Sequence, residues 1–289
     1  MSNTPVSRAR TASSTRRPPS LDSILRSALV GLFVILMLVF ILGPLLWLGV
    51  RAFAGSWTFP NLLPDDWTLR WWQVVFNDGA LSIAVQNSLF FAPLTVLVSA
   101  VICLPAAYAF ARFDFPGRRF FLISLFATNA FPKMGLFVTL AALFYALNLM
   151  NSVLGILVVH VLGTVVFMTW IPAAAFAAVP RNLEEAARDA GASKLRVFAS
   201  VTLPMALPGI IVAAVMSFLA SFDEAQGTYL VGAPDFMTMP TQMYSLVLNY
   251  PTQVAAVFSI LLAIPSVALM LAAHKHILGG QLAEGFQIK

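Results

Sequence analysis

Apolar runs long enough to cross a bilayer recur six times in this chain, at about 28–50, 89–111, 120–145, 153–178, 205–222 and 254–273. A helix needs about 20 such residues to cross the hydrocarbon core. Inside that core every backbone N–H and C=O must find its partner within the protein, so runs of this kind fold as helices. The first, second, fourth and sixth runs hold no charged residue; the third contains Lys133 with Asn129, and the fifth stops just before Asp223 and Glu224. Composition agrees: 60% of the 289 residues are hydrophobic and 10% charged, against about 25% charged in soluble domains. The fold class expected is an all-α membrane protein with six transmembrane helices.

A net charge of +5 in a soluble protein would point to nucleic acid. Here the basic residues follow the membrane instead. With an inside N-terminus, six crossings return the C-terminus to the same side, and fourteen of the seventeen Lys and Arg then lie inside. The exceptions are Arg51, Arg70 and Lys133. This asymmetry predicts that both termini are cytoplasmic, and no nucleic-acid partner is needed. Residues 1–27 read as a polar, disordered cytoplasmic tail. The run at 28–50 is too long for the core of a removable signal peptide and is read as a first span that stays. Residues 51–88 form an external segment, 89–273 a core of five spans, and 274–289 a cytoplasmic tail. In the external segment Trp67, Trp71 and Trp72 would share one side of a short helix. Such a helix lies flat at the membrane interface, with a solute-facing aromatic patch as the alternative.

Prolines 44, 93, 105, 132, 172, 208 and 265 fall within the spans. Each removes one helical hydrogen bond and favours a kink. Cys103, the single cysteine, has no disulfide or metal partner and reads as a small packed hydrophobe. His160 lies within a span, where ionisable groups are functional candidates by default; packing or hydrogen bonding is the reading preferred for it.

Between the fourth and fifth spans lies a polar loop, 180–204, too ordered in pattern to be a plain connector. Asn182 with Glu185 three positions on makes an approximate capping box. Glu184 and Glu185 suit the positive end of a helix, and Ala186, Ala187 and Ala190 are strong helix formers. Gly191 ends this helix because it tolerates the left-handed conformation. A second helical piece follows over about 193–200 until Pro204 breaks it. The prediction is two short helices meeting at a glycine elbow, with one small face able to enter another protein's groove.

That loop resembles the cytoplasmic coupling motif of permeases in binding-protein-dependent ABC importers of type I. The motif runs Glu-Ala-Ala, three residues, Gly, nine residues, then Ile-x-Leu-Pro. This chain has Glu185-Ala186-Ala187, Gly191, and Val201-Thr202-Leu203-Pro204, departing only by Val201 in place of Ile. The resemblance extends from about Asn87 to Thr252. Asn87-Ser88 opens the second span, Ala106 to Arg112 closes it, and Pro116-Gly117-Arg118-Arg119 follows. The resemblance implies a multi-pass subunit of a bacterial or archaeal inner membrane that is not itself an enzyme. It also implies a pair of ATP-binding subunits that hold ATP and Mg, a second permease (a different chain ranked ahead of a copy), and an external solute-binding protein. No cofactor is expected on this chain. The sequence also lacks the G-x-x-x-x-G-K-[ST] phosphate loop.

Lys133, Asn129, Asp223 and Glu224 are the candidates for the solute pathway. Snorkelling to the interface is the alternative for Lys133, and a solvated loop start for Asp223 and Glu224. External acidic residues outnumber external basic ones, which mildly favours a cationic solute. The Ser221-Phe222-Asp223-Glu224 stretch looks similar to the polyamine and iron branch. Phe113 to Gly117 and Leu147 to Ser152 look more like the carbohydrate branch. Polyamine-like solutes rank first and carbohydrates second. A self-sufficient secondary transporter or channel is the reading from another class, and the absence of acidic residues near the middles of the spans argues against a carboxylate-coupled one.

Overall fold

A computed structural model describes residues 21–58, 60–127 and 131–278. Among them the regular structure is helical, apart from one isolated bridge between Ala54 and Trp67. Five of the described helices are long and apolar enough to cross a membrane. The chain divides into two compact units, residues 1–48 and 49–289.

The first unit carries most of α1 (Leu21–Phe53), which continues through Pro44. The helix begins seven residues earlier than the sequence predicts; the rest of the expected tail, 1–20, lies outside the described residues.

In the second unit, α3 (Gly79–Arg112), α6 (Val153–Ala178) and α9 (Leu203–Phe222) pack against one another. The inner face of α3 shows why. Leu81, Ala84, Ser88, Phe91, Thr95, Ser99, Cys103, Ala107 and Ala111 are all buried and recur every three or four residues, one stripe of a helix. Small residues dominate the stripe, which lets neighbouring backbones approach closely, as membrane helices require. Ser99 and Thr164 share a buried hydrogen bond of 2.7 Å between α3 and α6. Cys103 packs with Met168 and Ala213, as expected of a small hydrophobe. The opposite face of α3 exposes Leu97, Val101 and Ile102, an apolar surface suited to lipid.

Two boundaries differ from the sequence expectation. The second span does not open at Asn87-Ser88. Its helix starts at Gly79, because the Asp78 carboxylate accepts from the N–H groups of Ala80 and Leu81. Ser88 and Asn87 instead fasten the later chain: Ser88 Oγ accepts from Met239 N at 2.7 Å and Asn87 donates to the Met237 carbonyl at 2.9 Å. The apolar run 120–145 is two helices, α4 (Arg118–Ala127) and α5 (Lys133–Ala146). Pro132 is the N-cap residue of α5; it cannot donate a helical hydrogen bond and keeps its predecessor out of the helical region. Both pieces attach to α6. Trp170 donates to the Leu122 carbonyl at 3.1 Å, while Phe137 and Phe144 join Phe91, Ile156 and Val159 in one buried cluster. The other prolines within helices are accommodated without a break.

The external segment also departs from its reading. Helix α2 spans only Arg70–Asn77, so Trp67 lies before it, in the bridge to Ala54 and largely exposed. Trp71 donates to the Ala54 carbonyl at 2.8 Å, and Trp72 packs on Phe53 at 5.4 Å. The three indoles therefore do not share a helix face.

After α9 a short helix α10 (Gln226–Gly232) packs between α5 and α6. It is followed by α11 (Met239–Asn249) and α12 (Thr252–Leu278). The described helix thus runs into the expected C-terminal tail, whose last residues, 279–289, lie outside the description. Two glycines let α10 fit. A Cβ on Gly227 would sit 2.5 Å from Val159 Cγ1 and 2.9 Å from Phe137, and one on Gly232 would sit 2.8 Å from Ile156. Overpacking of this kind costs about 1–3 kcal/mol. Gly227→Ala should lower the thermal unfolding midpoint in detergent. Gly135→Ala, where a Cβ meets nothing within 4 Å, should leave it unchanged or raised.

Candidate functional site

The polar loop folds into the expected elbow, with a different start. Helix α7 spans Arg181–Asp189 with Pro180 at its N-cap and no side-chain cap bond. Asn182 is therefore inside the first turn and exposed, and makes no capping box with Glu185. Proline explains this: its φ is already helical and it has no N–H to satisfy, so the helix starts directly after it. The end is as predicted. Gly191 has φ +86°. Its N–H bonds the Arg188 carbonyl at 2.8 Å and the Ala192 N–H bonds the Ala187 carbonyl at 3.0 Å, the paired 5→2 and 6→1 bonds of a Schellman termination. A Cβ at Gly191 would meet nothing within 4 Å, so backbone conformation alone selects glycine there.

Ser193 caps the next helix, α8 (Lys194–Val197), by accepting from Arg196 N. A π-helical turn (Phe198–Thr202) then joins α8 to α9 without interruption. Pro204 consequently does not break the helix. It sits in the first turn of α9, and the wider π register, with Leu203 N bonded to the Phe198 carbonyl, absorbs the donor that proline lacks. Val201 and Leu203 are half-buried here and Pro204 is exposed. On α7, Glu185, Ala186 and Ala190 face outward, Ala187 is half-buried, and Leu195 beyond the elbow is exposed. The small face predicted for a partner is accessible.

The inward side of α7 is held by a residue that the capping argument treated only as a dipole partner. Glu184 is buried, and its Oε1 accepts from Arg112 at 2.8 Å and from Thr202 Oγ1 at 2.6 Å. Glu184 lies one residue outside the motif. The sequence signal for it was a second acidic residue in a first turn, with an unpaired arginine ending an earlier span.

A second feature lies among α5, α6, α9 and α11. A cavity of about 920 Å³ opens there, and Lys133, Asp223 and Glu224 all lie on its wall, with Thr139, Gln226 and Tyr244. Asn129 lies outside the described residues. Lys133 is the exposed first residue of α5. The two acidic neighbours differ in kind. Asp223 is exposed at the C-cap of α9. Glu224 is engaged through both oxygens: Oε1 accepts from Gly227 N at 2.8 Å, and Oε2 accepts from Thr228 N at 2.8 Å and Thr228 Oγ1 at 2.6 Å. It fastens the start of α10.

The same threonine reaches the buried His160, whose Nε2 lies 2.8 Å from Thr228 Oγ1 and whose Nδ1 lies 2.7 Å from Ser221 Oγ. Thr228 gives its one hydroxyl proton to Glu224, so Nε2 is the donor toward Thr228. A neutral ring then accepts from Ser221 at Nδ1. Phe91 stacks on the imidazole at 5.9 Å. His160 thus has the hydrogen-bonding role preferred for it, and the carboxylate–threonine–histidine–serine chain fixes one wall of the cavity.

The left-handed conformation costs a non-glycine residue about 1–2 kcal/mol, and asparagine tolerates it best. Gly191→Val should therefore loosen the elbow and speed tryptic cleavage after Arg188 and Lys194, while Gly191→Asn should be cleaved at nearly the native rate.

Residues 102–278, well over half of the chain, match the family described as "Binding-protein-dependent transport system inner membrane component". The chain is 28% identical over 260 residues to the maltodextrin transport system permease protein MdxG of Bacillus subtilis (strain 168), covering 88% of this chain and 94% of that protein. It is 26% identical over 241 residues to the spermidine/putrescine transport system permease protein PotC of Escherichia coli (strain K12), covering 83% and 90%. Other relatives are named for trehalose/maltose, trehalose and galactooligosaccharides. The fold is similar to that of a chain in a bacterial ABC transporter involved in the import of the acidic polysaccharide alginate, with a TM-score of 0.71 at 19% identity, covering 90% of this chain and 99% of that one. The match over 102–278 takes in the elbow and all three described cavity candidates, and the chain belongs to this family, the inner-membrane permeases of binding-protein-dependent ABC importers.

Proposed function

We propose that this chain forms half of the solute pathway of a carbohydrate importer and is driven by a separate pair of ATPases that dock on α7 and the Gly191 elbow. The observation that carries the reading is the small outward face made by Ala186 on α7 and Ala190 at its C-cap, with Ala187 half-buried and Glu185 exposed beside them, ended by a glycine that only the backbone requires. A small exposed face admits close approach of a groove, and the unbroken helix from Lys194 to Phe222 carries any displacement of the elbow along α9. Glu185, Ala186, Ala187, Gly191, Val201, Leu203 and Pro204 form this coupling segment.

The topology that fits has six crossings with both termini cytoplasmic, α4 and α5 together making the third. A second, different permease completes the pathway, and an external binding protein delivers solute. ATP and Mg are held by the partner ATPases. The domain boundaries follow: a cytoplasmic tail, a first span, an external segment, a five-span core with its coupling loop, and a second cytoplasmic tail.

The substrate reading shifts from polyamine-like solutes to carbohydrates. The cationic argument counted Glu224 as one of the external acidic residues, and both oxygens of that carboxylate are engaged at the start of α10. Asp223, Gln226, Thr139 and Tyr244, beside Lys133 and Glu224 on a mostly apolar wall, suit a hydroxyl-rich ligand, which needs a few placed polar groups and an aromatic surface. The relatives' names weigh the same way, with most belonging to sugars.

The test is uptake in proteoliposomes holding this chain with its sister permease, ATPase and binding protein. Maltooligosaccharide uptake with no spermidine uptake is expected; the reverse would restore the polyamine reading, and uptake by this chain alone on an ion gradient would remove the importer reading. Asp223→Ala should lower uptake roughly 10-fold, the effect of losing one hydrogen bond to a charged group, without changing thermal stability. Glu224→Ala should lower stability as well.

A further inference from the structure

One buried carboxylate ties together four segments of this chain. Arg112 is the last residue of α3, Val179 the C-cap of α6, Glu184 lies in the first turn of α7, and Thr202 ends the π-helical turn before α9. A single guanidinium nitrogen, Arg112 Nη2, donates to the Val179 carbonyl at 3.0 Å and to Glu184 Oε1 at 2.8 Å; Thr202 Oγ1 donates to the same Oε1 at 2.6 Å. The Arg112 and Glu184 side chains are 8% and 7% exposed. Beside them lies an apolar cluster of Ala107, Ala111, Phe176, Val179 and Ala206.

Two physical points follow. A buried ion pair is poor at adding stability but tolerates little separation, since either charge left alone is heavily penalised. Segments held by one therefore keep their relative positions. The π-helical turn has a reason in the same place. One residue of α-helix turns about 100°, so removing the extra residue of the π register would swing Thr202 away from Glu184. The exposed Arg118–Asp114 pair nearby is of the solvated kind that contributes little.

We propose that Arg112, Glu184 and Thr202 are positioning residues that weld α7 to the ends of α3, α6 and α9, so that a push on the outer face of α7 moves three spans as one body. The lever half of this proposal rests on α7 being the docking helix; the weld does not. Glu184 and Arg112 lie outside the Glu185–Pro204 motif, and Thr202 occupies its unspecified position.

The experiment has two arms. In the first, the assembled transporter in proteoliposomes carries Thr202→Val, which removes the hydroxyl at constant shape, Thr202→Ser, which keeps it, or Glu184→Gln. ATP hydrolysed per solute carried should rise about fivefold in Thr202→Val, the fold-change of one lost hydrogen bond, rise further in Glu184→Gln, which leaves Arg112 a buried unpaired charge, and stay native in Thr202→Ser. In the second, the permease alone, with Cys103→Ser, carries spin labels at the exposed positions Asp114 and Asp189. The distance distribution should broaden in the same two variants and not in Thr202→Ser. Unchanged ratios together with unchanged distances overturn the proposal, and so does a lower yield of complex with a native ratio and native distances. Broadened distances in a permease that binds no ATPase would support the weld while removing the docking reading, so the two failures are distinguishable.

Discussion

Hydrocarbon offers no partner to a backbone N–H or C=O, and most of the described architecture follows from that constraint. It makes the long apolar segments helices and lets them run through Pro93, Pro105, Pro172, Pro208 and Pro265. It also dictates what can lie between them. The α3–α6–α9 core mixes small residues, alanine, serine, threonine and one cysteine, with larger ones such as Phe91, Ile156, Met168 and Phe176, and a buried hydroxyl such as Ser99 finds Thr164. Other large apolar side chains, Leu97, Val101 and Ile102 among them, are turned outward, onto a surface suited to lipid.

Two groups of buried polar side chains are linked into hydrogen-bonded sets. Glu224, Thr228, His160 and Ser221 form one chain in which each hydroxyl proton and the ring proton has an assigned acceptor. Glu184, Arg112 and Thr202 form another, at the foot of the spans. The first steadies a wall of the cavity and the second steadies the elbow. In the function proposed above, these are the places of solute handling and of force transmission.

The sequence made the helical class, most of the spans and the Gly191 elbow legible, because apolar length and a left-handed glycine are local properties. It misread features that are decided by which contact a residue makes rather than by residue type alone. Gly79 could open α3 only because Asp78 caps it, whereas the hydropathy rise came ten residues later. Pro180 started α7 ahead of Asn182, the better side-chain cap, because proline is helical in φ without help. Glu184 looked interchangeable with Glu185 until α7 was placed against Arg112 and Thr202. Glu224 stood out as a solute candidate, while the α10 contacts that engage both of its oxygens were not visible. The residue types were visible and the contacts that placed them were not, whether three or four residues away, as for Glu224, or 18 and 72 residues away, as for Glu184.

The central claim is that force enters this chain through the outer face of α7. Cross-linking tests it most directly: Ala186→Cys, on a Cys103→Ser background, against single cysteines in the groove of the partner ATPase within the active transporter. The account predicts a disulfide that forms readily and blocks transport until it is reduced. Efficient transport by a complex in which Ala186→Cys never cross-links, while a cysteine elsewhere on this chain does, would contradict it.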